Sequence, residues 1–239
     1  MRHMITLDDW SREDILRVID LADRVKARPQ DYAGRLQLKT LLMIFEKPSL
    51  RTRLSFEVAM TQMGGHAIYY SVQGSNIGGK ESIEDTARAA GRFVDAIMAR
   101  LFSHEVLVKF AENAGVPVVN GLTDYSHPCQ ILADLQSIRE KKGRLDGLKL
   151  AYLGDSNNNV THDLLWGCPK AGVSVSIACP EGGEYEPRPE VLESARKAAA
   201  KHGAKVHVTH SADEAVTGAD VVYVDSWMSY HVPKDKEAE

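Results

Sequence analysis

The chain has few cysteines, few aromatic residues and no long apolar run. Its three cysteines, Cys129, Cys168 and Cys179, show no C-x-x-C spacing. They form no disulfide framework, so a stapled secreted scaffold is excluded and a reducing, cytoplasmic setting is expected. The nine histidines are scattered without metal-ligand spacing, and no metal site is predicted. No apolar stretch approaches the roughly 20 residues that span a bilayer, and Met1–Trp10 is mixed and charged, without a secretory h-region. Neither sign of charge prevails: 29 Lys and Arg against 33 Asp and Glu leave a formal net charge of -4. That balance argues against nucleic acid as a main partner, so local basic clusters must be sites or solvated faces. Internal repeats and low-complexity segments are absent. What is present, 44% hydrophobic and 26% charged residues in a chain of 239, is enough to build a sizeable core in one large or two modest domains.

Ser11–Lys26 carries a helical repeat in Ile15, Val18, Ile19, Ala22 and Val25, and Ser11 with Asp14 resembles a capping box. Short apolar runs then alternate with helical patterns. The runs Leu41–Phe45, Ala67–Ser71, Ala96–Leu101 and Val116–Leu122 predict strands; Leu54–Met63, Ser82–Phe93, Glu105–Asn113 and about His127–Lys141 predict helices. A second series follows. Its strands are Leu148–Leu153, Val173–Ala178, Lys205–Thr209 and Val221–Val224, and its helices are Val160–Ala171, Arg188–His202 and Ala212–Val216. Strands spaced by helices imply βαβ units and parallel sheets. The expected fold class is α/β: two doubly wound domains, 1–143 and 144–239, each with a parallel four-stranded sheet, joined by a helix and with a cleft between them. The second series stops at four strands and Ser226–Glu239 runs out in polar residues, so the second domain is expected to be incomplete.

The most informative stretch is Glu46-Lys47-Pro48-Ser49-Leu50-Arg51-Thr52-Arg53-Leu54-Ser55-Phe56-Glu57. It lies where a buried strand ends and a helix begins. Free backbone N–H groups and the positive end of a helix dipole favour an anion there. Ser49 and Thr52 add hydroxyls, and Arg51 and Arg53 supply planar forks that match phosphate oxygens. A solvated basic first turn is the plainer reading, but basic residues are poorly placed for the dipole at that end. Arg100 closes a predicted strand, where ligands of parallel sheets bind. Three loops precede helices: Gly74–Ser82, rich in glycine; Gly154-Asp155-Ser156-Asn157-Asn158-Asn159; and the run into His127-Pro128-Cys129-Gln130. Proline at a first helical turn is ordinary, yet it accounts for neither His127 nor Gln130. The Asn-rich loop lacks the G-x-G-x-x-G pattern, and no acidic residue is placed for a ribose, so a dinucleotide site is rejected. Asp225-Ser226-Trp227-Met228-Ser229-Tyr230 follows the last predicted strand. A carboxylate there suits a cationic amino group.

Pro-Ser-x-Arg-Thr-Arg-x-Ser-Phe-Glu resembles the carbamoyl-phosphate signature of the aspartate and ornithine carbamoyltransferases. His-Pro-x-Gln resembles a second motif of the same family, and Asp-x-Trp-x-Ser resembles its ornithine branch. The matches run from Glu46 to Tyr230. Three positions depart from the family's pattern: Leu50 stands where most members have Thr, Asn76 where Gln is frequent, and Tyr230 where the ornithine branch has Met. The resemblance implies a carbamoyl-phosphate site of Ser49, the Leu50 N–H, Arg51, Thr52, Asn76, Arg100, His127, Cys129 and Gln130, with Arg100, His127 and Gln130 as the catalytic group. It implies an ornithine site of Asn159, Asp225, Ser229 and Tyr230. The implied reaction is carbamoyl transfer from carbamoyl phosphate to the δ-amine of L-ornithine without a cofactor, in a cytoplasmic homo-oligomer built on a trimer. The aspartate branch instead holds a second carboxylate with Arg in this half, and neither loop carries one. Two alternatives stay open: another amine acceptor, putrescine or an N-acylated ornithine, and a non-catalytic member that binds carbamoyl phosphate. Family members also carry a His-Cys-Leu-Pro motif further on, which extends the expectation of an incomplete second domain.

Overall fold

The computed structural model describes residues 2–72 and 81–225. In chain order the elements are α1 (Arg12–Ala27), a 3-10 turn (Pro29–Tyr32), β1 (Thr40–Phe45), α2 (Leu50–Gln62), β2 (His66–Ser71), α3 (Ile83–Ala90), β3 (Ala96–Arg100), α4 (His104–Asn113), β4 (Val118–Leu122), α5 (Pro128–Lys142), β5 (Lys149–Leu153), α6 (Asn159–Lys170), β6 (Ser174–Ala178), α7 (Pro189–His202), β7 (Val206–Thr209), α8 (Ala212–Val216) and β8 (Val221–Tyr223). All eight predicted strands form. They build two parallel four-stranded sheets, ordered β2-β1-β3-β4 and β7-β6-β5-β8. Among the described residues no helix is long and apolar enough to cross a membrane.

The chain divides into two units. The first is Met1–Asp9 with Asp20–Cys129, and the second is Trp10–Ile19 with Gln130–Glu239. The division therefore runs through α1 and through the start of α5, where the sequence alone places a boundary at 143/144.

In the first unit the central strands β1 and β3 read as continuous apolar runs because both faces of the sheet are covered. Met43, Ile44, Phe45, Ile97, Met98 and Ala99 are all buried. On one face Ile44, Ile97 and Ala99 pack with Ala87 of α3 and with Leu107, Phe110 and Ala111 of α4. On the other, Met43, Phe45 and Met98 pack with Met60 and Phe56 of α2. Helices on both faces are what a doubly wound sheet requires. The N-terminal segment adds one parallel bridge at the β4 edge: Met4 N–H donates to Val118 O at 2.8 Å and Asn120 N–H donates to Met4 O at 2.7 Å. Nothing in the mixed composition of Met1–Trp10 foreshadows that bridge.

In the second unit β5 and β6 are the buried centre, with Leu150, Ala151, Val175 and Ile177 at most 1% exposed. All twelve residues of α6 are buried, so the element between β5 and β6 is covered on every side. α1 begins with the expected capping box. Ser11 N–H donates to Asp14 Oδ2 and Asp14 N–H donates back to Ser11 Oγ. Arg12 then holds Asp146 in a two-pronged contact at 2.7 and 2.8 Å.

Two helix boundaries differ from the sequence reading by more than one residue. α2 starts at Leu50, four residues before the first strong apolar position, because Ser49 is its N-cap and Ser49 Oγ accepts from Thr52 N–H. Arg51, Thr52 and Arg53 therefore occupy the first helical turn. α3 stops at Ala90, short of Phe93, which is 85% exposed. Gly91 closes it: a β-carbon on Gly91 would lie 1.6 Å from the Ala114 carbonyl oxygen just past α4. Only glycine lets the ends of α3 and α4 approach this closely. Gly91→Ala is therefore expected to destabilise the protein by about 2–4 kcal/mol, as overpacking against rigid backbone does. Gly34→Ala, with nothing within 4 Å of the added carbon, should change stability by less than about 0.5 kcal/mol. Urea unfolding midpoints of the two variants check this.

Candidate active site

The strand order of the first sheet reverses between β1 and β3, so the crevice at their carboxyl ends is the place where an open α/β sheet binds ligands. The loop after β1 and the last residue of β3 meet there. Phe45 is in register with Arg100. Glu46 N–H donates to Arg100 O at 2.9 Å, and Phe102 N–H donates to Glu46 Oε2 at 2.7 Å. This pins the base of the Glu46–Thr52 loop to the end of β3.

Arg100 is only 8% exposed, unusual for its type. Its Nη1 donates to Thr52 Oγ1 at 3.5 Å and to Gly121 O at 3.4 Å. The path of this side chain depends on a bulge. Ala99 pairs with Asn120 but Arg100 pairs with Leu122, so Gly121 is an extra residue on β4. A β-carbon at Gly121 would lie 2.5 Å from Met98 Sδ. Bulges re-aim side chains at sheet ends, and here the extra residue is one with no side chain to obstruct Arg100. A bulge in a parallel ladder leaves no pattern in the sequence beyond a glycine inside an apolar run.

The first turn of α2 contains Arg51 but no acidic residue. Ser49 Oγ accepts from Thr52 N–H and donates to Thr52 Oγ1 at 3.0 Å. Leu50 turns outward and is 73% exposed, which leaves the start of the helix lined by hydroxyls and backbone. Arg51 is exposed. Arg53 is occupied elsewhere: its Nε donates to Glu57 Oε1 at 2.9 Å and its guanidinium lies 3.9 Å above the Tyr69 ring. Of the two arginines of the motif, Arg51 is thus the one whose guanidinium is not tied to those two neighbours.

His127 follows a turn held by buried polar groups. Asn120 Nδ2 donates to Ile5 O and Ser126 O, Ser126 Oγ donates to Ile5 O, and Ser126 N–H donates to Thr123 Oγ1. Burial lowers the His127 pKa to about 3, reinforced by the positive charges of Arg100 and Lys47. His127 is therefore a neutral imidazole, able to donate one hydrogen bond, and it lies within the field of the Arg100 and Lys47 charges. Cys129 donates its thiol to Asn120 O at 3.3 Å and so points back to β4. Asn76 lies outside the described residues.

The second sheet reverses order between β5 and β8. The carboxyl ends of these two strands carry the Asn-rich loop and Asp225. The three asparagines divide the work. Asn157 Nδ2 donates to Glu184 O, and its Oδ1 accepts from Arg188 Nε at 3.1 Å. Asn158 is the N-cap of α6 and accepts from the N–H groups of Val160 and Thr161. Asn159, first residue of the helix, is 6% exposed. Arg188 is the residue the sequence could not place here, because it sits 31 positions from Asn157 in the turn before α7. Asp225 is exposed, and its charge raises the pKa values of Asp134, Tyr152 and Tyr223 after the larger effect of their burial. Gln130 donates from Nε2 to Asp134 Oδ1 at 3.0 Å, and Tyr223 Oη donates to Asp134 Oδ2 at 2.8 Å. Asp134 was not singled out in the sequence; a lone Asp in a charged amphipathic helix gives no signal there. Ser229 and Tyr230 lie outside the described residues.

Comparisons with known proteins agree with both halves. The carbamoyl-phosphate-binding domain of the aspartate/ornithine carbamoyltransferases matches residues 2–140, and the aspartate/ornithine-binding domain of the same family matches residues 146–239. The chain is 48% identical over 230 residues to the ornithine carbamoyltransferase of Anoxybacillus flavithermus, covering 95% of this chain and 72% of that one. It is 45% identical over 243 residues to that of Thermococcus kodakarensis, covering 100% of this chain and 75% of that one. The solved ornithine carbamoyltransferase of Pyrococcus furiosus superposes with a TM-score of 0.93 at 44% identity, over 99% of this chain and 75% of that one. With both family domains matched in order along nearly its whole length, the chain belongs to the aspartate/ornithine carbamoyltransferase family.

Proposed function

We propose that the protein transfers the carbamoyl group of carbamoyl phosphate to the δ-amine of L-ornithine, giving L-citrulline and phosphate. The observation that carries this reading is the basic first turn of α2, capped by Ser49 and facing Arg100 through Thr52, in a chain 45–48% identical to enzymes of that name.

Carbamoyl phosphate is held by the first unit. Backbone N–H groups at the start of α2, the Ser49 and Thr52 hydroxyls and Arg51 take the phosphate oxygens. Arg100 and the neutral His127 donate to the carbamoyl oxygen, where negative charge grows as the amine attacks. Asn76 completes this group in the family's pattern, whereas the Cys129 thiol, turned to Asn120 O, contributes through its place between His127 and Gln130. In the second unit Asn159, Asp225, Ser229 and Tyr230 hold the amino-acid end of ornithine, and Gln130 orients the carbamoyl amide. The δ-amine attacks the carbonyl carbon as a neutral amine, the C–O bond to phosphate breaks, and the amine loses a proton. Phosphate is already a good leaving group, so positioning and electrostatics suffice. A cytoplasmic trimer is the assembly this reading favours. Exposed apolar side chains on α2 (Leu54, Val58) and on the edge strand β2 (Ile68, Tyr70) support an oligomer.

Three outcomes test the reading. Arg51→Ala should weaken carbamoyl phosphate by about 2–4 kcal/mol, the cost of losing a charge-assisted contact to phosphate, as read by calorimetry. Asp225→Asn should raise KM for ornithine about tenfold or more and leave carbamoyl phosphate affinity unchanged; equal losses for both substrates would refute the division of labour. His127 should stay neutral on titration from about pH 8 to pH 5, as read by its imidazole NMR signals. Because its folded pKa of about 3 lies below the 6.5 of an ordinary histidine, the unfolded chain binds the proton more readily between those values. The stability that neutral His127 contributes is complete above pH 6.5 and falls away as pH drops toward 3. His127→Gln should therefore flatten the acid limb of the unfolding midpoint against pH.

A further inference from the structure

Gln130 has a carboxamide that can present either its oxygen or its nitrogen to a substrate, and its neighbours decide which. Asp134 lies one helical turn along α5. Its Oδ1 accepts from Gln130 Nε2 at 3.0 Å and its Oδ2 accepts from Tyr223 Oη at 2.8 Å. A Gln and an Asp four residues apart on a helix are by themselves a modest helix-stabilising pair. Here the second carboxylate oxygen is held by a residue 89 positions away, at the end of β8 and two residues before Asp225. Tyr223 is itself braced. It is in register with Tyr152 on β5, and the two rings stack with centroids 6.0 Å apart at 29°. Tyr152 Oη donates to Asp155 O at 2.8 Å and accepts from Asn158 Nδ2 at 3.1 Å, and Asn158 caps the helix that begins at Asn159. A continuous set of contacts thus links Gln130, the Asp225 strand end and the Asn159 helix start.

Both partners of Asp134 are donors, the pattern an ionised, acceptor-only carboxylate requires. Gln130 must then turn its NH₂ toward Asp134, which leaves Oε1 as the atom facing the other way. We propose that Asp134, braced by Tyr223, is a positioning residue for carbamoyl transfer: it fixes the Gln130 carboxamide so that Oε1 accepts from the carbamoyl NH₂ and ties that orientation to the strand carrying Asp225. The inference rests on the carbamoyl-transfer reading and adds two residues to it that act only through Gln130.

The test is a double-mutant cycle on the full chain, with kcat and both KM values read beside thermal unfolding. Asp134→Ala should lower kcat about 10–100-fold, as a displaced orienting group does, with KM for ornithine and carbamoyl phosphate changed less than about threefold. Asp134→Asn can still offer an oxygen to Gln130 and should recover most of that loss. Tyr223→Phe keeps the ring stack and should cost about 3–10-fold in kcat. In a Gln130→Ala background the same changes should cost less than about threefold, because a residue that acts through Gln130 has nothing left to position. Losses that multiply in that background, or a lowered unfolding temperature with kcat intact, would overturn the proposal. A second readout does not need turnover. The Gln130 side-chain amide signals, assigned by their disappearance in Gln130→Ala, should move in Asp134→Ala and in Tyr223→Phe; signals that stay put in both overturn the proposal. A protein that makes no citrulline overturns the carbamoyl-transfer reading instead, and the amide signals then decide the positioning claim alone.

Discussion

Both sheets are parallel, and in each the strand order reverses once, between β1 and β3 and between β5 and β8. In the first sheet the chain leaves β1 for α2 on one face and β3 for α4 on the other, so the carboxyl ends of β1 and β3 stay uncovered by the connections themselves. Most candidate residues sit at one of these two places, Ser49 to Thr52 and Arg100 at the first and Asn159 and Asp225 at the second, while His127 follows the adjoining strand β4. The rest of the structure serves that arrangement. The cores on both faces fix the strands, the caps fix where the helices begin, and the bulge at Gly121 gives Arg100 its path.

Charge suits the first place to an anion. A helix start is already positive, and an acidic residue there would stabilise the isolated fold. This chain puts arginine in that turn and adds buried Arg100 with Lys47 close enough to depress His127. The folded protein carries that repulsion, and a dianionic phosphate placed there would relieve it. The second place is built the other way. Asp155 and Asp225 contribute negative charge, and Arg188 is held by Asn157. The first place thus suits a phosphate, and the carboxylates of Asp155 and Asp225 suit the cationic group of an amino acid, in keeping with the proposed carbamoyl transfer.

Much of this was legible in the sequence because it is local. Uninterrupted apolar runs announced strands buried on both faces, and the helical spacing between them announced the crossovers. The Ser49–Arg53 motif, His127 with Gln130, and Asp225 were readable because each is a short run in a fixed relation to one strand or helix. The structure added what depends on distant partners. The start of α2 at Leu50 follows from a capping bond that outweighs apolar spacing. The bulge at Gly121 is a property of two strands together. Asp134, Tyr223 and Arg188 matter only through residues far along the chain. Arg53 shows the reverse case: within the motif it reads as a phosphate ligand, and in the fold it is engaged by Tyr69 and Glu57.

The most direct measurement is product identification with competing acceptors. The protein would be given carbamoyl phosphate labelled in the carbamoyl carbon and equal concentrations of L-ornithine, L-aspartate, putrescine and an N-acylated ornithine. The account predicts label in citrulline, with phosphate released in equal amount and negligible label in the other three products. Label in carbamoylaspartate, in a carbamoylated diamine or in the N-acylated product would contradict the assignment of Asn159 and Asp225 to a free ornithine. Phosphate release with no labelled amine product would contradict carbamoyl transfer itself.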